Sequence, residues 1–463
     1  MKQNSLSLTE GNIAKVLIRF SVPFLLANLL QALYGAVDLF VIGRFCDASS
    51  VAAVSTGTSV TQIITSLISG LTLSGTILVG KYQGMGQKDK VEKSIATTIC
   101  SFGIFSVILT VVLTMNISNI LSLLKTPADA FSGAHEYVFI CCLGIFFICE
   151  YNALSAILRG YGDSVSPLIF VSIACVCNVV GDFFTVAVLH MGVAGTAIAT
   201  IASQGISMFC AIFYLNRKNF IFRFSLQTLR IDKQILKEMI LIGIPVSFQE
   251  CIVRISFLYL NSITNSFGIY TSSAVGIAAK YDVFAMLPAT SIANALAALT
   301  SQNMGANKKE RAVSFVKYGT FAAFLCSLLF FLWAQLSPES MISLFSGNAK
   351  VIRAGVPFFR ACSFDYLAVS FLFCLNGYLN GREKTIFTMT NCCLGALLVR
   401  MPLMYVLSSH QVHSLFYYGL VSPFSSILML AVIFFYLKKI EKQHPRQLPQ
   451  AQTSRQNVSA SLP

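Results

Sequence analysis

Residues 165–190 read VSPLIFVSIACVCNVVGDFFTVAVLH, and Asp182 carries the only charge among them. As an α-helix at 1.5 Å per residue such a run reaches about 39 Å, enough to cross the ~30 Å hydrocarbon core of a bilayer. It has no polar face for water to wet, so it is not the amphipathic helix of a soluble domain. The lone carboxylate is costly in that medium, by a few kcal/mol or more, and so marks a functional position.

The rest of the chain repeats this pattern. Apolar runs bounded by charged, Gly, Pro or Asn residues fall at 15–42, 52–80, 93–115, 134–158, 164–190, 192–216, 237–264, 271–302, 311–335, 353–380, 385–408 and 412–440. Of the 463 residues, 55% are hydrophobic and 11% charged, against about 25% charged in soluble domains. The fold class is therefore an all-α polytopic membrane protein with twelve transmembrane helices. The first run is too long for a signal-peptide core and lacks a small-residue cleavage site, so it reads as an uncleaved span.

The net charge of +14 does not point to nucleic acid, because of where it lies. Twenty-five of the 33 basic residues fall on one side, in alternate loops and the termini, including Lys81, Lys88, Lys90, Lys93, Arg159, Arg217, Lys233, Lys308, Lys309, Arg311, Arg382 and Lys384. The other side holds Arg44, Lys125, Lys350 and Arg353. The positive-inside rule puts both termini in the cytoplasm of a plasma-membrane protein. The 14 Cys lie mostly in apolar runs without metal-type spacing and read as small core hydrophobes. All five His (135, 190, 410, 413 and 444) sit at span ends or in the tail, which disfavours an intramembrane enzyme.

The chain also copies itself at an offset of about 220. Ser21-Val22-Pro23-Phe24 returns as Gly243-Ile244-Pro245-Val246, and Val51-Ala52-Ala53-Val54 as Ser272-Ser273-Ala274-Val275. Gln83-Gly84-Met85-Gly86 returns as Gln302-Asn303-Met304-Gly305, and Leu158-Arg159-Gly160 as Leu379-Asn380-Gly381. Six spans per half make the repeats parallel, a design that holds cargo between two lobes and rocks them. The expected division is an N-lobe (1–216), a basic linker (217–236), a C-lobe (237–440) and a disordered tail (441–463).

The two halves differ in their acids. Offsets of 221–222 put Leu260 opposite Asp38 and Leu403 opposite Asp182. Asn178 and Asp182 are four apart and share a helix face. Asp38, Asp182 and Thr200 all lie roughly 6–12 Å from the same ends of their spans, the common depth that a shared cavity requires. Pro23 and Pro245 free backbone carbonyls and favour kinks, candidate gates. Gly84, Gly86 and Gly305 read as tight-turn residues.

These features resemble the multidrug and toxic compound extrusion (MATE) family over residues 12–440. The likeness is carried by Pro23, Asp38 and Gly43, by Gln83-Gly84-x-Gly86, and by Arg159-Gly160-Tyr161-Gly162-Asp163 with Pro167. Further along it is carried by Asn178, Asp182, Gly192-Val193-Ala194-Gly195-Thr196-Ala197 and Thr200, then by Pro245, Gln302-Asn303-Met304-Gly305-Ala306 and Arg400-Met401-Pro402. The resemblance implies a V-shaped antiporter, monomeric and without a cofactor, that exports amphipathic organic cations against H⁺ or Na⁺. It also implies a coupling site at Asp38, Asn178, Asp182 and Thr200, where Na⁺ would bind if Na⁺ is the ion. The alternative within the same superfamily is a flippase for lipids or lipid-linked oligosaccharides.

Other ionisable residues lie in the second-half spans: Glu250, Arg254, Lys280, Asp282, Asp365 and Arg400. Glu250 and Arg254, four apart, either pair with each other or belong, with Lys280, Asp282 and Asp365, to a cleft or second-half site. Lys280 and Asp282, two apart, line a cleft or pair across helices. Some family members hold a cation on a Glu of span 7 and an Asp of span 10, but here the spacing of Glu250 and Asp365 is shifted. Neither Arg400 nor Glu150 in span 4 takes a role from sequence.

Overall fold

The computed structural model describes residues 7–217, 221–222, 228–412 and 414–443. Among the described residues eleven helices are long and apolar enough to cross a membrane, and a bent pair, counted as one span, brings the number to twelve. Spans 1–3 are Ile13–Phe45, Ala48–Gly84 and Lys88–Leu123. Span 4 is Ala128–Leu143 followed by Ile145–Tyr161, bent by 49°. Span 5 is Val165–Asp182 continued by a π-helical Phe183–Val188, and span 6 is Gly192–Arg217. Spans 7–10 are Lys233–Asn265, Ile269–Gly305, Lys309–Leu336 and Ala349–Gly381. Span 11 runs Thr385–Cys393, π-helical Leu394–Arg400 and Met401–Ser409, and span 12 is Leu415–Gln443. A short helix, Pro338–Ser343, precedes span 10.

Most helices overrun the apolar segments because their caps are polar residues outside the hydrocarbon-matched stretch. Asp47 accepts from the Ser50 N–H at 3.0 Å, and Asp232 from Gln234 and Ile235 at 2.9 and 3.1 Å. Each satisfies helix-start donors left without an intrahelical partner. The bend in span 4 falls at Gly144, where a Cβ would strike the side chain of Ile201 in span 6. The helix gives way there because another helix needs the space. Part of the linker, 218–220 and 223–227, and the tail from 444 lie outside the described residues.

Packing does not follow the chain. The inner end of span 1, meaning the end at the basic loops, places Val16, Leu17, Phe20 and Phe24 in a cluster with Ala289, Leu296, Phe315 and Leu379 of the second half. The other end of span 1 places Val41 and Ile42 in the first-half core. Span 7 does the converse. Its inner residues Ile235, Met239 and Ile242 join the first-half core, while Leu260 joins a second-half cluster. Pro23 and Pro245 lie buried inside these two crossing helices.

Hydrogen bonds join the halves at their basic end and up to mid-span. Asn28 Nδ2 donates to Ser291 Oγ at 3.0 Å, and Ser247 Oγ to the Leu67 carbonyl at 3.0 Å. Deeper toward the basic end, Gln302 Nε2 donates to the Gly160 carbonyl at 2.7 Å. Lys81 Nζ stands 2.8 Å from Glu383 and 3.4 Å from Glu238, and the Tyr82 hydroxyl donates to Glu238 at 2.9 Å. The segment before span 1 is strapped to the second half, with Lys308 and Arg311 donating to the Thr9 and Gly11 carbonyls at 3.0 and 2.7 Å.

The repeated glycines split into two roles. Gly86 has a φ of +71° and makes the turn expected of it. Gly84 and Gly305 are the last residues of spans 2 and 8 and open the turns that follow, in which the Gly86 N–H donates to the Gln83 carbonyl and the Asn307 N–H to the Met304 carbonyl, both at 3.1 Å. A Cβ on Gly84 would strike the Gln302 carbonyl, and one on Gly305 the Lys81 carbonyl. Spans 2 and 8 cross backbone against backbone there, the close approach that small residues permit.

Candidate functional site: a buried carboxylate pair

Four spans converge near the end of the molecule opposite the basic loops. Asp38 lies seven residues before the end of span 1, and Thr200 eight residues into span 6. Asn178 and Asp182 stand one turn apart at the end of the α-helical part of span 5. Asp38 is 3% exposed, and Asn178 and Asp182 are fully buried. Thr200 links the set: its hydroxyl donates to Asp38 Oδ2 at 3.3 Å and accepts from Asn178 Nδ2 at 3.4 Å. Asp182 and Tyr137 lie near enough to act electrostatically on Asp38, with no direct hydrogen bond between them. The four residues expected from sequence thus stand together.

Tyr137, in the outer part of span 4, is a member that sequence reasoning missed. It is 1% exposed, and its hydroxyl accepts from Thr58 at 3.5 Å. The signal for it was its depth, nine residues into span 4, comparable with that of Asp38 and Thr200.

The arrangement is short of donors. Among the described residues, Asp38 Oδ1, both Asp182 oxygens and Asn178 Oδ1 are buried without a protein donor. An ionised carboxylate only accepts hydrogen bonds, so two facing carboxylates cannot satisfy each other unless a proton or cation lies between them. Among the described residues no basic side chain pairs with either carboxylate. Immediately beyond Asp182 the helix loosens into its π-helical stretch, a feature often found at functional positions.

The second-half ionisable residues divide. Tyr366 OH donates to Asp282 Oδ1 at 2.8 Å across spans 10 and 8. Arg400 lies near enough to act electrostatically on both Asp282 and Asp365, and its guanidinium stacks over the Phe257 ring at 5.0 Å. Asp282, Asp365, Tyr366 and Arg400 therefore form one cluster with its own cation. Glu250, Arg254 and Lys280 lie exposed and outside it. Glu250 and Arg254 do not form the ion pair expected from their spacing; the three ion pairs among the described residues are Lys81 with Glu238, Lys81 with Glu383, and Lys93 with Asp89. An i,i+4 spacing permits contact, but two long side chains on an exposed face have little to hold them in one geometry.

Twelve spans in two parallel repeats, with buried acids between helices and a polar seam closing one end, define a multi-pass membrane transporter. The MatE family profile matches twice, over residues 23–184 and 245–406, and the chain belongs to the MATE family of multidrug efflux transporters. The two matches begin 222 residues apart and end 222 apart, in keeping with the repeat read from the sequence. The probable multidrug resistance protein YpnP of Bacillus subtilis is 28% identical, with 85% of this chain and 88% of the relative covered. A solved outward-facing multidrug resistance MATE transporter superimposes with a TM-score of 0.88 at 19% identity, covering 96% of this chain and all of the other. A Pyrococcus furiosus transporter of the same superfamily superimposes equally, at 0.88 and 20% identity, with 96% and 99% covered. It is described as having a binding pocket of reverse polarity that suggests a different function. The fold alone therefore does not set the cargo.

Proposed function

We propose that this protein is an antiporter that exports amphipathic organic cations in exchange for H⁺ or Na⁺, with the exchange carried by Asp38 and Asp182. The observation that carries the reading is the facing carboxylate pair, buried, short of donors and without a basic partner. Such a pair binds a proton or a small cation well and releases it when its surroundings change. Asn178, Thr200 and Tyr137 orient the carboxylates, and the Asn178 oxygen adds a further ligand for a hard cation such as Na⁺.

In this reading the basic end faces the cytoplasm of the plasma membrane, with both termini there. The two lobes, 1–216 and 237–440, are joined by the 217–236 linker and rock against each other. The Lys81, Glu238, Glu383 and Gln302 contacts close the cytoplasmic side, an outward-open state. The kinks at Pro23 and Pro245 are where spans 1 and 7 flex as that side opens. The Asp282–Asp365 cluster is not a second coupling site here, because Arg400 already supplies its positive charge.

The test is efflux of a fluorescent organic cation from proteoliposomes under separately imposed pH and Na⁺ gradients. One gradient drives export by the native protein, and Asp38→Asn and Asp182→Asn lose that response. Wild-type export by both variants under both gradients would sink the coupling role. If no organic cation moves under either gradient, the cargo is wrong and the lipid-flippase alternative takes its place.

A further inference from the structure

Away from the carboxylate pair, spans 3 and 6 both pack on the inner half of span 4 and leave a crevice between them. The crevice is a cavity of about 310 Å³, walled by Ile99, Gly103, Leu154, Met208 and Ile212, with Leu229 of the connecting segment at its basic end. Its size is at the lower end of the ~300–1,000 Å³ typical of small-molecule sites. Ile104 and Phe209 beside it are 54% and 61% exposed, on helix faces that in a bilayer meet lipid tails.

One charged residue lines this apolar space. Glu150 is 6% exposed, and among the described residues it has neither a hydrogen-bond donor nor an ion-pair partner. Several other acids of this chain have a hydroxyl partner: Asp38 has Thr200, Asp282 has Tyr366, and Asp163 accepts from the Ser166 hydroxyl at 2.6 Å, while Asp182, itself without a donor, faces Asp38 rather than an apolar cavity. An acid at membrane depth with no protein partner, facing a cavity, calls for a positive ligand. Depth narrows the class. Glu150 is eleven residues from the inner end of span 4, roughly 16 Å along the helix axis. That is near the bilayer midplane, beyond the reach of a phospholipid headgroup. The cation must carry its own hydrocarbon down to Glu150.

We propose that this crevice is a membrane-facing binding site for a lipophilic ammonium ion. Its nitrogen pairs with Glu150 and its hydrocarbon fills the space between spans 3, 4 and 6. The site shares no residue with the Asp38–Asp182 group, and its existence does not depend on which ion that group couples. Pairing in a low-dielectric crevice offsets the cost of both charges when the geometry is good. Gly103 keeps the space open, since a Cβ there would stand 3.2 Å from Glu150 Oε1.

Photolabelling of the purified full-length protein in lipid nanodiscs tests this. The probes are decylamine and decanol, each bearing an aryl trifluoromethyl diazirine, with labelled peptides mapped by mass spectrometry. The amine probe should label the 99–103 and 208–212 segments at least tenfold more than the alcohol, and unlabelled decylamine should compete. Glu150→Gln, and independently Gly103→Leu with the carboxylate intact, should each lower labelling at least tenfold, while Asp38→Asn leaves it unchanged. Equal labelling by amine and alcohol would overturn the proposal, as would labelling that survives both crevice variants. Labelling lost in Asp38→Asn would assign the amine to the carboxylate pair instead, and would equally overturn it.

Discussion

The same helical frame occurs twice in this chain, and its two copies put opposite chemistry at matching positions. With a shift of 221–222 residues, Asp38 corresponds to Leu260, Tyr137 to Phe358 or Phe359, and Asp182 to Leu403 or Met404. Leu260, Phe359 and Met404 pack in one apolar cluster and are 5%, 0% and 0% exposed. One copy is dry core; the other buries two acids and a phenol. The frame therefore does not require the acids for its own stability. A buried aliphatic side chain contributes about 1.5–3 kcal/mol in water, whereas a carboxylate at mid-membrane costs about 2.5–3.5 kcal/mol. The first copy holds its acids at a cost that its twin avoids. A further difference is Arg400, which gives the second half an internal cation near Asp365 and Asp282.

The largest way to break this comparison is functional. Asp182→Asn should bring gradient-driven export down to the level of empty liposomes, while Met404→Leu at the twin position leaves it near wild type. Equal losses would mean both positions act only through packing. Next comes the reverse graft. Leu260→Asp should destabilise the protein by about 3 kcal/mol, because it buries a carboxylate with no partner. Thermal melting in detergent reads this, and an unchanged midpoint would show that the twin cluster is wetter than its burial indicates. Third, the double variant Asp38→Leu with Asp182→Leu should melt higher, by about 2 kcal/mol of stability, since apolar replacement of buried charge is often stabilising. Lower melting would make the acids structural. The smallest effect is expected from Phe359→Tyr, about 1–2 kcal/mol for a buried hydroxyl without an acceptor. Its counterpart Tyr137→Phe should leave melting nearly unchanged and slow export.

The number of spans, their repeat and the acid depth were legible in the sequence because each is local. Apolar length marks a span, and residue count along a helix marks depth. The gathering of Asp38, Asn178, Asp182 and Thr200 was implied by the family resemblance and supported by their shared depth, with no contact known. What stayed hidden depends on neighbours far along the chain. At the Gly144 break Ile201 fills the space that a Cβ would need, and nothing in residues 134–158 announces that. Gly84 and Gly305 do open turns, as their sequence suggests, but their second role, letting spans 2 and 8 cross backbone against backbone, depends on contacts between the two halves. Tyr137 was passed over because an aromatic in an apolar run is ordinarily packing. Glu250 and Arg254 misled in the other direction, since their helical spacing allows a pair that their exposed faces do not hold.

Spans 1 and 7 change sides partway along their length, each giving its inner turns to the opposite core. A chain severed in the 217–232 connection would therefore not yield two self-sufficient pieces. The front piece would bare Phe20 and Phe24 and lack Met239, and the back piece would bare Met239 and lack both phenylalanines. Each fragment is the template on which the other finishes folding, so the two should assemble when synthesised side by side and fail when made apart.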